Sequence, residues 1–260
     1  MTLYKGLQKI TPVKVVKKGG DYYVEQVNSD DGTCILNITD ADSVNKWKEY
    51  YTHMILRDTD TMVVPDGVEE IGGYAFAQWQ LPYAKTPLKY ITLPVSLTKI
   101  GAGAFLHCSQ LLLENLPDNI TLIGNSAFQS CTHLLFTKLP DKLKVLDYSA
   151  FANSNIQITS MPESFNNFTS INVFYSCQDL KEMTFKGDML NITPFTFGYC
   201  LNLTKFSFPN NTSVPTLGNI NAIPKGANFT GTIEVPNALL DTWKASTNWA
   251  QLTQANWVGI

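Results

Sequence analysis

The stretch IGAGAFLHC (Ile100 to Cys108) returns as IGNSAFQSC (Ile123 to Cys131). Aligned on its phenylalanine, the phrase recurs with strict spacing: Phe105, Phe128, Phe151, Phe174 and Phe197 each stand 23 residues after the last. An earlier copy, VPDGVEEIGGYAFAQW, sets Phe76 29 residues before Phe105, and QWQLPYAKTP (Gln78 to Pro87) supplies the extra length as a loop insertion. A fixed period of this size is the signature of a stacked repeat.

Eleven residues before the phenylalanine stand Pro65, Pro94, Pro117 and Pro140; the fifth copy has Pro162 at twelve and the sixth has Lys186. A leucine column runs through Leu88, Leu111, Leu134, Ile156, Leu180 and Leu203. One unit therefore reads L-x-x-I-x-L-P, a short connector, L-x-x-I, then A-F-x-x-C. Its two short alternating segments, punctuated by Pro or Gly, read as strands. One turn cannot bury its own apolar face. Stacked turns pair strands in parallel at about 4.8 Å, so each column becomes a ladder of like residues and the phenylalanines a buried stack.

The alternation of A-F-x-x-C with L-x-x-I-x-L-P over residues 62 to 209 resembles the leucine-rich repeats of the BspA-like class, also called the Treponema pallidum type. The chain departs from that pattern at Val173 and Thr196 in place of alanine, at Ser154 in place of cysteine, and in copies five and six, which lose the I-G step. The resemblance implies a β-rich solenoid that binds other molecules rather than transforming them, in a family associated with adhesion and surface binding in host-associated bacteria and some protists. GTIEVPNALLDTWKASTNWAQL resembles the terminal segment of such proteins, a last strand followed by a capping helix.

The expected organisation is a small α+β module or cap over residues 1–60, a solenoid over 61–226, and a last strand with capping helix over 227–260. In the first part, KVVKKGGDYYVEQV and GTCILNI read as strands broken by Gly19-Gly20 and by the NSDDGT turn. Asp40 or Asp42 is placed to cap a helix through DSVNKWKEYY, and Asn237 or Asp241 to cap one whose Leu239, Leu240, Trp243 and Leu252 cover the last turn.

The chain of 260 residues is 44% hydrophobic with a formal net charge of -3, and its longest basic run is Lys17-Lys18. That balance argues against a nucleic-acid partner. No apolar run reaches the length of a membrane span, and the N-terminus lacks the apolar core of a signal peptide, so neither membrane insertion nor general secretion is expected. The cysteine column, three residues after each phenylalanine, reads Trp79, Cys108, Cys131, Ser154, Cys177 and Cys200. Small buried thiols at a tight turn are the favoured reading; an inter-turn disulfide is the alternative, and a one-dimensional ladder gives no tetrahedral metal shell. His107 and His133 fall in different columns, and no nucleophile, metalloprotease, phosphate or dinucleotide motif occurs. No catalytic residue, metal or cofactor is expected. N-x-[ST] triplets at Asn37, Asn119, Asn167, Asn191, Asn202 and Asn228 read as turn asparagines followed by strand threonines.

Partner binding then falls to the outward columns of L-x-x-I-x-L-P: Tyr90, Leu113, Phe136, Glu182 and Lys205 in one, Thr92, Asn115, Lys138, Thr159, Thr184 and Ser207 in the other. Tyr90, Leu113 and Phe136 would form an apolar recognition strip, with Lys138, Glu182 and Lys205 as polar contacts. Two alternatives stay open: the 78–87 insertion folds over the strip, or a register shift turns Leu113 inward, since Glu114 holds the usual Ile position. The expected partner is a protein or glycan on a surface. YKGLQKITP resembles short N-terminal segments of phage tail-associated proteins, and a virion component would join surface binding to cytoplasmic synthesis, with the N-terminal module contacting other virion proteins. A cellular adhesin is the second setting, and an enzyme acting on surface polymer a remote third.

Overall fold

The structure, a computed structural model, describes residues 13–18, 21–26, 34–35, 61–64, 68–78 and 87–260. The expected helix through DSVNKWKEYY, the NSDDGT turn and most of the 78–87 insertion lie outside the described residues. Strand β1 (Val13–Lys18) pairs antiparallel with β2 (Asp21–Gln26), in register from Val13–Gln26 to Lys18–Asp21.

The rest is parallel. A front ladder follows L-x-x-I-x-L-P and a second ladder follows L-x-x-I. The front ladder opens with β3 (Cys34–Ile35), β4 (Thr61–Val63) and β6 (Tyr90–Thr92). It therefore reaches back across residue 60. It resumes as five strands in the order β10 (Ser160–Met161), β11 (Glu182–Phe185), β13 (Lys205–Ser207), β15 (Thr232–Val235) and β16 (Asn256–Gly259). The second ladder stacks β5 (Glu70–Ile71), β7 (Lys99–Ile100), β8 (Leu122–Ile123) and β9 (Val145–Leu146). It continues through an isolated bridge, Asn167 to Asn191, into β12 (Asn191–Ile192) and β14 (Thr216–Leu217). In the fifth copy Phe168 takes the buried slot of the missing isoleucine.

Between the ladders, the A-F-x-x-C segment is a spiral of tight turns. Two positions per turn are left-handed: two residues before the phenylalanine (Tyr74, Gly103, Ser126, Ser149, Asn172, Phe195) and two after (His107, Ser130, Asn153, Ser176, Tyr199), all with φ between 53° and 62°. Four-residue turns such as Gly101 to Ala104 close by an N–H to carbonyl bond of 3.2 Å, and a positive φ at the third residue is what lets a type II turn close. The phenylalanine N–H donates to the next turn (Phe105 to Ala127 O, Phe128 to Ala150 O, both 2.8 Å), so the spiral is knitted along the solenoid as a sheet would be. Its rings stack face to face from Phe76 to Phe197, with centroids 5.1 to 5.6 Å apart.

The front ladder breaks at 111–116 and 134–139. Outer copies bury positions 1, 4 and 6 of the motif, as in Leu180, Met183 and Phe185. Copies three to five carry Glu114, Thr137 and Thr159 at position 4, and an unpaired polar group is costly to bury. The chain slips by one residue and buries position 3 instead: Leu113, Phe136 and Ile158 are 3%, 1% and 1% exposed. The expected outward orientation of Leu113 and Phe136 is thus corrected, and the alternative of a register shift at Glu114 holds for Leu113, because a one-residue slip turns a side chain to the other face. Phe136 stands edge-on to Phe128 and Phe151, at 6.2 and 6.1 Å.

After β15 the chain forms helix α1 (Leu240–Ala245), which buries Trp243 against Phe208. Its N-cap residue is Leu239, with no side-chain capping bond. Neither Asn237 nor Asp241 caps it; Asp241 sits inside the first turn, where its charge favours the helix N-terminus. Strand β16 follows and pairs with β15 along Thr232–Asn256 to Val235–Gly259, an element the sequence reading did not anticipate.

Candidate functional site

The broad patterned surface is the outward face of the five-stranded front sheet. One row aligns Glu182, Lys205, Thr232 and Asn256; the next aligns Ser160, Thr184, Ser207, Glu234 and Val258. The alternate row, Met183, Phe206 and Ile233, is buried and anchors the strands. Lys205 Nζ lies 2.7 Å from Glu234 Oε1 on the next strand. The Lys205 ammonium holds the Glu234 carboxyl below the usual carboxylate range against the opposing effect of burial, with the Ser207 hydroxyl assisting. Ser207 is itself buried between its neighbours, at 5% exposure, so it supports the face without reaching solvent.

The cysteine column is inert. Cys108, Cys131, Cys177 and Cys200 are free and buried. Each thiol donates to the phenylalanine carbonyl of the preceding turn: Cys108 to Phe76, Cys131 to Phe105, Cys177 to Phe151 and Cys200 to Phe174, at 2.9 to 3.1 Å. Burial pushes the thiols of Cys108, Cys131 and Cys200 well above the ordinary range. Among the described residues no three His, Cys, Asp or Glu side chains gather as a metal site, and no helix is long and apolar enough to cross a membrane.

Three of the N-x-T triplets are staples between turns. Asn119, Asn191 and Asn202 donate their amides to Val95, Phe168 and Gln178 carbonyls one turn earlier, at 2.7 to 2.9 Å. Thr121, Thr193 and Thr204 donate likewise to Thr98, Ser170 and Lys181.

Residues 51–171 and 111–219 match the BspA type leucine-rich repeat region, in six copies. The chain belongs to the BspA-type leucine-rich repeat family. No curated protein matches it. Its structure is similar to that of a leucine rich cell surface protein from Faecalibacterium prausnitzii, at 16% identity and TM-score 0.45 over 95% of this chain and 86% of that one. The T. pallidum leucine-rich repeat protein TpLRR aligns at 17% identity and TM-score 0.40 over 88% and 86%. The pneumococcal vaccine antigen PcpA aligns at 16% and 0.45 over 77% and 67%.

Of the partner residues expected for this BspA-type protein, Tyr90 is 48% exposed and aligned with Thr61 on the first front block. Glu182 and Lys205 sit side by side in register on the second block. Lys138 is exposed on the interrupted segment, 2.9 Å from Asp118 and 3.9 Å from Asp141, and the Asp118 bond raises its pKa. The slip that buries Leu113 and Phe136 leaves their neighbours outside: Leu135 is 48% exposed and Leu112 half-buried. The sequence reading missed Leu135 and the Glu234 row. The first was readable from the L-x-L-x-x-L pattern; the second required knowing that β15 extends the same sheet.

Proposed function

We propose that this protein is a non-enzymatic binding scaffold whose front sheet recognises a protein or glycan on a surface, and that its setting is a phage virion or host-recognition component. The carrying observation is the pair of outward rows from Glu182 to Asn256 and from Ser160 to Glu234, hydrogen-bonding side chains held in register on strands whose opposite face is buried. Charged and hydroxyl groups fixed at ladder spacing suit recognition by complementarity rather than by apolar burial. In this reading the 23-residue turn is the recognition unit, residues 1–60 attach the scaffold to other virion proteins, and residues 227–260 close the last turn against exposed pairing edges. Family membership supports the scaffold; the virion setting rests on the YKGLQKITP segment. The second setting, a surface adhesin, shares the same face.

The test is adsorption of purified protein to intact bacterial cells, with Glu182→Lys and Lys205→Glu introduced separately. Weakened adsorption is expected from both, at unchanged melting temperature for Glu182→Lys and a slightly lower one for Lys205→Glu, which loses the Glu234 pair; full adsorption by both variants sinks the front-face assignment. Mass spectrometry of purified virions separates the settings, since a virion component is recovered in stoichiometric amounts and an adhesin is not.

A further inference from the structure

The left-handed position two residues after each phenylalanine is filled by His107, Ser130, Asn153 and Ser176 in successive turns, and in the sixth turn by Tyr199, φ 60°. A bulky L side chain is costly in that conformation, whereas Asn tolerates it. Tyr74, also left-handed, is half-buried, and its ring fills the space a Cβ on Gly103 would need; packing offsets its backbone cost. Tyr199 is 58% exposed, so packing offsets less of its cost. A strained backbone residue whose side chain is left in solvent is the pattern of a functional position rather than a packing one.

The surroundings agree. The Tyr175 ring lies 5.2 Å from that of Tyr199, tilted by 55°. Gln178 donates its amide to Tyr199 O at 2.7 Å and to Ser176 Oγ at 3.3 Å, which leaves its own carbonyl to accept and the Ser176 hydroxyl hydrogen to donate. Asn153 is exposed beside them, its backbone N–H donating to Tyr175 O at 2.8 Å. Leu201, 48% exposed, follows two residues on and donates its backbone N–H to the Tyr199 carbonyl at 2.9 Å.

We propose that Tyr175 and Tyr199 form a stacking platform for a neutral oligosaccharide. The rings offer π faces to the C–H face of a pyranose, while the uncharged Gln178, Ser176 and Asn153 groups alongside match its hydroxyls. Two rings and one leucine are too small an apolar area for a stable protein partner, which needs about 800 Å² on each side. The assignment stands whether or not the front sheet binds its own partner.

The test titrates wild-type protein and the Tyr199→Asn variant with a panel of neutral oligosaccharides built from hexose and N-acetylhexosamine units, by calorimetry and saturation-transfer NMR. At least one oligosaccharide binds the wild type with saturation at tyrosine ring protons, and Tyr199→Asn weakens it by about tenfold or more, a difference calorimetry resolves. The melting temperature of the variant stays level or rises, because Asn suits the backbone better. Ser130→Asn, in the same column three turns away, leaves the affinity unchanged. The proposal is overturned if no oligosaccharide binds the wild type, including the case where only a protein is captured at this surface, if Tyr199→Asn binds as well as wild type, or if Tyr199→Asn lowers the melting temperature and so marks Tyr199 as structural.

Discussion

The Ser154 hydroxyl lies 3.7 Å from the Cys177 sulfur, and both donate to one acceptor, the Phe151 carbonyl, at 2.7 and 3.0 Å. In its column Ser154 alone among these donors turns to its own turn. Cys131, the residue before it in the column, reaches across to Phe105 instead.

Ser154→Cys is therefore expected to stabilise the fold. A thiol at this position reaches back to the Phe128 carbonyl as its neighbours do, relieves the crowding on Phe151, and replaces a buried hydroxyl with a small apolar group. The gain is about 0.5 to 1 kcal/mol, visible as a higher urea midpoint at unchanged m-value. An unchanged or lower midpoint would mean that the local hydroxyl bond is worth as much as the crossing one.

The period, the phenylalanine stack and the buried thiol column were legible because they depend on residues recurring at fixed spacing, and a ladder converts spacing directly into contact. The break in the front sheet was legible only at Glu114, which offered an inward shift of Leu113 as an alternative; that Phe136 and Ile158 follow it, beside Thr137 and Thr159, was not. Its resolution depends on how much one polar residue costs when the two strands beside it impose register, a tertiary quantity. Strand β16 was hidden for a similar reason: NWVG has no strong strand pattern until β15 offers it an edge.

The four thiols of the repeats are expected to be silent toward iodoacetamide in the native state at pH 8 and to react together only on unfolding. Burial raises the folded-state pKa of Cys108, Cys131 and Cys200, so the stability they contribute is complete below the unfolded thiol value near about 8.5 and falls as pH rises beyond it. The measurement uses a Cys34→Ser background and mass spectrometry of the labelled peptides. Native labelling of Cys131 would contradict its full burial.

Phe128→Ala should be the more damaging of two truncations along the stack. Phe128 touches Phe105 and Phe151 face to face and Phe136 edge-on, so its removal opens a cavity spanning three turns. A cost of about 3 to 5 kcal/mol is expected. Phe76→Ala, with one stacked neighbour in the column, should cost less. Because repeats couple mainly to nearest neighbours, hydrogen exchange in Phe128→Ala should rise first in the turns of Phe105, Phe128 and Phe151 while β15 and β16 stay protected. Uniform loss of protection would instead indicate a single cooperative unit.

The Lys205–Glu234 pair gives the front sheet a pH signature. Glu234 is held below its ordinary range by Lys205, so the native state binds fewer protons than the unfolded chain as its carboxyl titrates. The pair's contribution is therefore present above the unfolded glutamate value of about 4.3 and is lost as pH falls through the lower folded value. The side chains retain 39% and 21% exposure, which screens the interaction and limits it to under about 1 kcal/mol. Lys205→Met should melt below wild type by a constant margin between pH 7 and 5, and that margin should close below about pH 4. Glu234→Gln should behave as Lys205→Met does at neutral pH, and a double variant should lose little more than either single one, since both remove the same interaction. A margin that persists undiminished at pH 2 would locate the effect of Lys205 in its aliphatic packing rather than in its charge.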